Sequence, residues 1–344
     1  MAVTVKNFGK TKDGKDISLF TIKNANGMEA SISNFGGVIV SLVVPNKNGE
    51  FKDVVLGFEK GEDYYNNGCF FGATIGRSSN RIKNATCVID GVQCNFPVND
   101  GPNNLHTDID EGFHKQLFDA EVLENGVKLT YTAPDMLAGF PGNLKTAVTF
   151  TLSDDNALSI NYDAVSDKTT VINLTNHSYF NLAGHNSGSI YDTELQINAS
   201  KYVPVLDGAI PTGEEADVEG TVFDFRILKK IGKEIDEDVD QLKVVGGYDH
   251  NYAIDGYDKS QKLIAVAKAD GRTMEVYTDL PGVQFYAGNF IEKESGKDGA
   301  TYTKRTGFCL ETQYFPDSVN QENFLTPIFK AGEAFKSTTV YKFV

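Results

Sequence analysis

Five histidines occur in the 344 residues, and two of them lie in polar, turn-rich segments: His106 in Pro-Asn-Asn-Leu-His-Thr-Asp and His177 in Leu-Thr-Asn-His-Ser-Tyr-Phe-Asn-Leu-Ala-Gly. Imidazole is the side chain best suited to moving protons near neutral pH, so each is a candidate acid or base, against the competing reading of a structural histidine. Glu311 follows the apolar run Gly307-Phe308-Cys309-Leu310 and precedes a polar turn at residues 312–317. A carboxylate in such partly apolar surroundings accepts a proton more readily than one in water, because desolvation disfavours its charge. A strand-end glutamate facing solvent fits the same pattern. Tyr179, Phe180, Phe285 and Tyr314 each adjoin a polar candidate and are the aromatics to consider for stacking on an apolar ligand face, with core packing as the alternative for each.

Other chemistries find little support. The histidine spacings match neither His-x-x-x-His nor a Cys/His cluster, so no metal site is expected. No Gly-rich phosphate loop follows a strand and no Gly-x-Ser-x-Gly elbow occurs, which argues against a nucleotide cofactor and a serine hydrolase. A formal charge of −15 with no basic block speaks against a nucleic-acid partner and for a neutral small molecule. The first twenty residues lack the apolar core of a signal peptide, and no stretch of about 18 apolar residues suggests a membrane span. Cys69, Cys87, Cys94 and Cys309 lack CxxC spacing and are too few for a disulfide framework, so free thiols in the cytosol are expected.

The elements that must hold these residues are strands. Apolar residues alternate at Val127, Leu129 and Tyr131, at Val148, Phe150 and Leu152, at Leu158, Ile160 and Tyr162, and again at Leu195 with Ile197, Met274 with Val276 and Val283 with Phe285. Asp13-Gly14, Asn26-Gly27, Asn48-Gly49, Asp90-Gly91, Asn125-Gly126 and Asp270-Gly271 are pairs that adopt the positive φ of tight hairpins. The best helical candidate is the short acidic segment 230–242. No linker, composition break or repeat divides the chain. The expectation is a single all-β domain over residues 1–344, a large antiparallel β-sandwich with few short helices.

Several separated motifs together resemble the aldose 1-epimerase (galactose mutarotase) family. They are Asn34-Phe35-Gly36-Gly37, Gly76-Arg77 with Asn80-Arg81-Ile82, Asn104-Leu105-His106, Gly139-Phe140-Pro141-Gly142, Thr175-Asn176-His177-Ser178-Tyr179-Phe180-Asn181-Leu182, Tyr248-Asp249-His250-Asn251 and Leu310-Glu311-Thr312-Gln313. The resemblance implies a β-supersandwich with an open sugar cleft and a monosaccharide substrate. It also implies Glu311 as general base, His177 as general acid, and His106, Arg81, Asp249, Gln284 and Asn80 around the sugar, with no cofactor. Arg77 and Arg81 would share a side if they lay on one strand; the resemblance selects Arg81. Asp249 also fits a plain surface turn, and exposed sheet edges leave monomer or homodimer open.

The chain departs from the family pattern after His106, where two glycines are usual and Thr107-Asp108 stand, continuing into Ile109-Asp110-Glu111. This puts the shape and charge of one cleft rim in question. Phe118, where the family usually has tryptophan, is expected to alter packing only. Three alternatives remain. A glycoside hydrolase or lyase would pair Asp249 with Glu311. A phosphohexose epimerase would use Arg77 with Arg81 as a clamp. A sugar-binding module would have lost its chemistry.

Overall fold

The computed structural model describes residues 2–344, and its regular secondary structure is almost wholly antiparallel strands. In Leu144–Leu152 the alternate residues Leu144, Thr146, Val148, Phe150 and Leu152 are buried while Lys145 faces solvent. Ala157–Ser166 and Ala334–Phe343 repeat the pattern, and Val148 lies opposite Tyr162 and Ile160 opposite Thr339. Each fully buried Leu, Val or Phe stabilises such a layer by about 1.5–3 kcal/mol relative to exposure.

Three sheets build the body. Nine strands form the largest, from the edge Asp119–Leu123 through Leu144–Leu152, Ala157–Ser166 and Ala334–Phe343 to Lys229–Lys230. A five-stranded meander runs from Ala2–Lys10 to Phe51–Asp53. The third sheet places Asp249–Ala253, Gly282–Tyr286 and Cys309–Gln313 side by side. One continuous cluster of buried side chains joins them, with Ile32 and Leu42 from the meander, Val148 and Ile160 from the large sheet, and Phe285 and Leu310 from the third. This is the layered β-sandwich that the alternation predicts.

Five of the six Asx-Gly pairs turn as expected, with positive φ at Gly14, Gly27, Gly49, Gly91 and Gly271. Asn125-Gly126 differs. Leu123 pairs with Gly126, so the turn is Glu124-Asn125 and the glycine opens the next strand, where a Cβ would run into the carbonyl of Phe150. Segment 230–242 is also not the helix expected of it. It holds a 3-10 turn, Ile231–Lys233, and only the start of the short α-helix Asp240–Val244. Glu234 and Asp236 are held by partners outside the segment, the largely buried Lys229 and Arg305, each at 2.6 Å. No helix among the described residues is long and apolar enough to cross a membrane.

Candidate active site

Alternation in the third sheet decides which side chains meet. Tyr252, Val283, Phe285 and Leu310 join the central core, whereas Tyr286 and Cys309 belong to a separate cluster on the opposite face. Period-2 geometry puts Asp249, Gln284 and Glu311 on that second face. Gln284 lies directly opposite Glu311, and its amide donates to Asp249 Oδ1 at 2.7 Å. His177 ends the short strand Thr175–His177, paired with Ala73–Ile75. It brings its Nε2 to 3.6 Å from Glu311 Oε1. His106 follows Asn104–Leu105, which pairs with Arg81–Ile82, and its ring stands edge-on to that of His177 with centroids 5.2 Å apart.

These residues line a cleft of about 150 Å³: Asn80, Arg81, His106, His177, Asp249 and Glu311, with Phe70, Tyr179 and Tyr286 as aromatic walls. Gln284 stands just behind, through Asp249. Four larger hollows lie elsewhere: those of about 870, 760 and 180 Å³ contain no histidine and no fully buried carboxylate, and one of about 290 Å³ beside Phe70 contains His114 but no carboxylate. Arg81 keeps its place through Nε, which donates to Asp100 at 2.7 Å.

Burial sets the electrostatics. Glu311 is pushed well above the ordinary carboxylate range by desolvation and then by nearby Asp249, with Arg81 opposing. His177 is pushed down to about 4 by desolvation. Asp249 is raised, chiefly by burial and against the pull of Arg81 and Gln284. The opposite shifts favour neutral imidazole with carboxylic acid over imidazolium with carboxylate, two states that differ only in where one proton sits.

His106, His177 and Glu311 gather possible ligand atoms within 4.8 Å of one another, a set of two histidines and a carboxylate that residue spacing alone does not reveal. His106 does not fit a metal. Its Nδ1 accepts from the Asn80 backbone N–H at 3.1 Å, so the neutral ring carries its proton on the other nitrogen and offers the cleft a donor in place of a lone pair. Dialysis against EDTA is therefore expected to leave activity unchanged. A loss restored by a divalent metal would reverse the tautomer assigned to His106.

The model of the family described as aldose 1-epimerase matches residues 18–342. The chain belongs to this family. Galactose mutarotase of Bos taurus is 45% identical over 318 residues, 92% of this chain and 91% of the relative. Aldose 1-epimerase of Escherichia coli K12 is 36% identical over 337 residues, 96% of each chain. The solved structure of galactose 1-epimerase from Lactobacillus acidophilus superposes with a TM-score of 0.87 at 28% identity, covering 100% of this chain and 99% of that one.

Family membership leaves the particular residues of this cleft to be read from its geometry. Tyr179 lines it, but Phe180 and Phe285 lie in the core and Tyr314 packs against Phe329 away from the site. The wall is instead Phe70 and Tyr286, with Phe290 at the rim. Tyr286 was legible from the strand period, since it shares a face with Gln284; Phe70, in a loop at φ 58°, had no signal in the sequence. Arg77 and Arg81 do not lie on one strand. Arg77 is buried and donates to the carbonyls of Pro141 and Gly142 at 2.8 and 2.9 Å, which makes it structural. Cys309, also missed, sets its sulfur 3.6 Å from His177 Nδ1.

The acidic departure after His106 does not reach the cleft. Asp108 folds back to accept from the backbone of Asp110 and Glu111, and none of residues 107–111 lines the site. Thr107 is buried at φ 74°, a conformation that disfavours a β-branched residue. Its hydroxyl accepts from Ser78 N at 2.9 Å and donates to Ser78 O at 3.0 Å, and this clasp offsets the strain. Thr107→Val keeps the strain and strands both Ser78 groups. It is expected to destabilise the protein by about 1–3 kcal/mol, read by urea denaturation.

Proposed function

We propose that the protein is an aldose 1-epimerase that interconverts the α and β anomers of a free hexose such as galactose or glucose. The observation that carries this reading is the buried Glu311–His177 pair, 3.6 Å apart, in which burial raises the proton affinity of the carboxylate and lowers that of the imidazole. In its charged form the pair has the two groups that ring opening needs. Glu311 takes the proton of the C1 hydroxyl, His177 gives its own to the ring oxygen, and the C1–O5 bond breaks to leave the open-chain aldehyde. Rotation about C1–C2 turns the other carbonyl face to the O5 hydroxyl. His177 then takes the O5 proton, Glu311 returns one to the carbonyl oxygen, and the enzyme ends as it began.

The remaining cleft residues bind and orient. His106 offers its N–H beside the reacting centre, with Asn80 fixing the tautomer, while Arg81 and Asp249, the latter held by Gln284, take up hydroxyls further round the ring. The phosphohexose alternative loses support because Arg77 is spent on backbone carbonyls, leaving no paired-arginine clamp. The four free thiols fit a cytoplasmic protein, and a single domain over residues 1–344 acting as monomer or homodimer completes the reading.

Polarimetry of freshly dissolved α-D-galactose and α-D-glucose tests it. Relaxation faster than in buffer supports the proposal, and the ratio of the two rates gives the preference. A protein that binds one sugar yet relaxes neither would be a binding module.

A further inference from the structure

The sheet face that carries Glu311 continues past the cleft as a row of buried polar side chains. Asn251, Gln284 and Glu311 sit directly across from one another on three adjacent strands, and Gln313 lies two residues beyond Glu311, opposite Gly282. Asn251 and Gln313 are 1% and 0% exposed, and neither lines the sugar cleft. Six buried polar atoms here have no protein partner: both amide atoms of Asn251, both of Gln313, Gln284 Oε1 and Glu311 Oε2. Buried amides in folded proteins are nearly always satisfied, by protein or by ordered water. Two complete amides and one carboxylate oxygen left over on one face therefore mark a polar site built for water. Glycine at 282 belongs to it, since a Cβ there would lie 2.8 Å from Asn251 Oδ1.

We propose that Asn251 and Gln313 are positioning residues for the catalytic carboxylate, holding ordered water behind the cleft that donates a hydrogen bond to Glu311 Oε2 while Oε1 faces His177. The inference rests on Glu311 being the base of the proposed epimerase. The water supplies what the protein withholds, a donor to the charged form of a carboxylate otherwise desolvated. Asp249 and Tyr286 face Glu311 from the neighbouring strands, Arg81, His106 and His177 from across the cleft, Cys309 from its own strand, and Tyr341 from the large sheet. Of these, Arg81 alone favours the carboxylate with a fixed positive charge. A hydrogen bond to the charged form lowers a carboxyl pKa, so loss of the water raises it and moves the acid limb of kcat/KM to higher pH.

Gln313→Met and Asn251→Leu remove the amides at nearly constant volume. Each is expected to lower kcat about ten-fold or more with KM within about twofold, and to move the acid limb up by about one pH unit. Gln313→Asn, which keeps an amide, recovers most of the rate. Circular dichroism checks folding, and should one apolar variant fail to fold, the other decides. Wild-type kcat and pH profile in a folded apolar variant would make the row merely structural. A raised KM with unchanged kcat would mean that the amides touch the sugar. Either outcome overturns the inference while wild type remains an active mutarotase, whereas a wild type that relaxes no sugar overturns the function itself.

Discussion

Glu311→Gln is expected to lower kcat for anomer interconversion by about 10³–10⁴-fold while leaving KM nearly unchanged. The amide has the shape of the carboxyl and cannot take a proton, so the loss falls on the chemical step. Stability moves the other way. Wild type holds Glu311 in a buried site that raises its pKa, so the folded chain binds that proton more tightly than the unfolded one. The resulting stabilisation is fully present below the unfolded carboxyl value and is lost as pH rises through the folded one. Glutamine never ionises, so the variant's melting temperature relative to wild type should be higher at pH 8 than at pH 4. Polarimetry and thermal denaturation at both values read the two effects. A variant with wild-type kcat would remove Glu311 from the chemistry, and one that loses activity and stability together at both pH values would mark it as structural.

Strands and turns were legible because their causes are local. Val148-Thr149-Phe150-Thr151-Leu152 alternates, and a strand with one buried face follows; Asp90-Gly91 and Asp270-Gly271 accept positive φ, and a hairpin follows. Segment 230–242, read as a short acidic helix, misled because residues outside it, Lys229 and Arg305, take up Glu234 and Asp236, and those partners leave no mark in the local sequence. The candidate site was legible mainly through the motifs that carry the family resemblance, and its surroundings were not. Glu311 and His177 stand out by residue type beside apolar or turn-rich sequence. By contrast, His114 and His250 are also buried and pushed down to about 3, and His250 is walled in by Tyr202 and Phe223. Burial alone does not separate these histidines from the candidate pair. The separation comes from which strand lies next to which.

Long-range register carries the rest. Asn251, Gln284 and Glu311 form one row across three strands that lie 33 and 27 positions apart in the chain, and no local pattern announces that row. The same is true of Asp100, which reaches Arg81 from a loop, and of Asn80, whose backbone sets the tautomer of His106. Positioning groups of this kind answer to geometry alone, and geometry at that distance is a property of the folded sheet.

His177→Asn is expected to lower kcat by about 10²–10⁴-fold, since an amide cannot protonate the ring oxygen as the C1–O5 bond opens. A second consequence follows from the burial of His177. Burial holds His177 neutral in the folded chain, while the unfolded chain protonates it below about pH 6.5. The folded pKa is the lower of the two, so wild type loses stability as pH falls from the unfolded value toward the folded one. With the folded value near 4, that loss amounts to about 3 kcal/mol, and the asparagine variant should be spared it. Glu311, 3.6 Å away, would cancel the difference if it were ionised there. Burial raises its pKa and so works against that charge. His106, His114 and His250 are shifted in the same direction and remain, so the variant stays acid-labile, only less so. Urea denaturation of both proteins at pH 7 and pH 4 reads the difference. Equal pH dependence would place a proton on His177 in the resting folded state, and with it a charge on Glu311, so that the ion pair that opens the ring stands ready before the sugar binds.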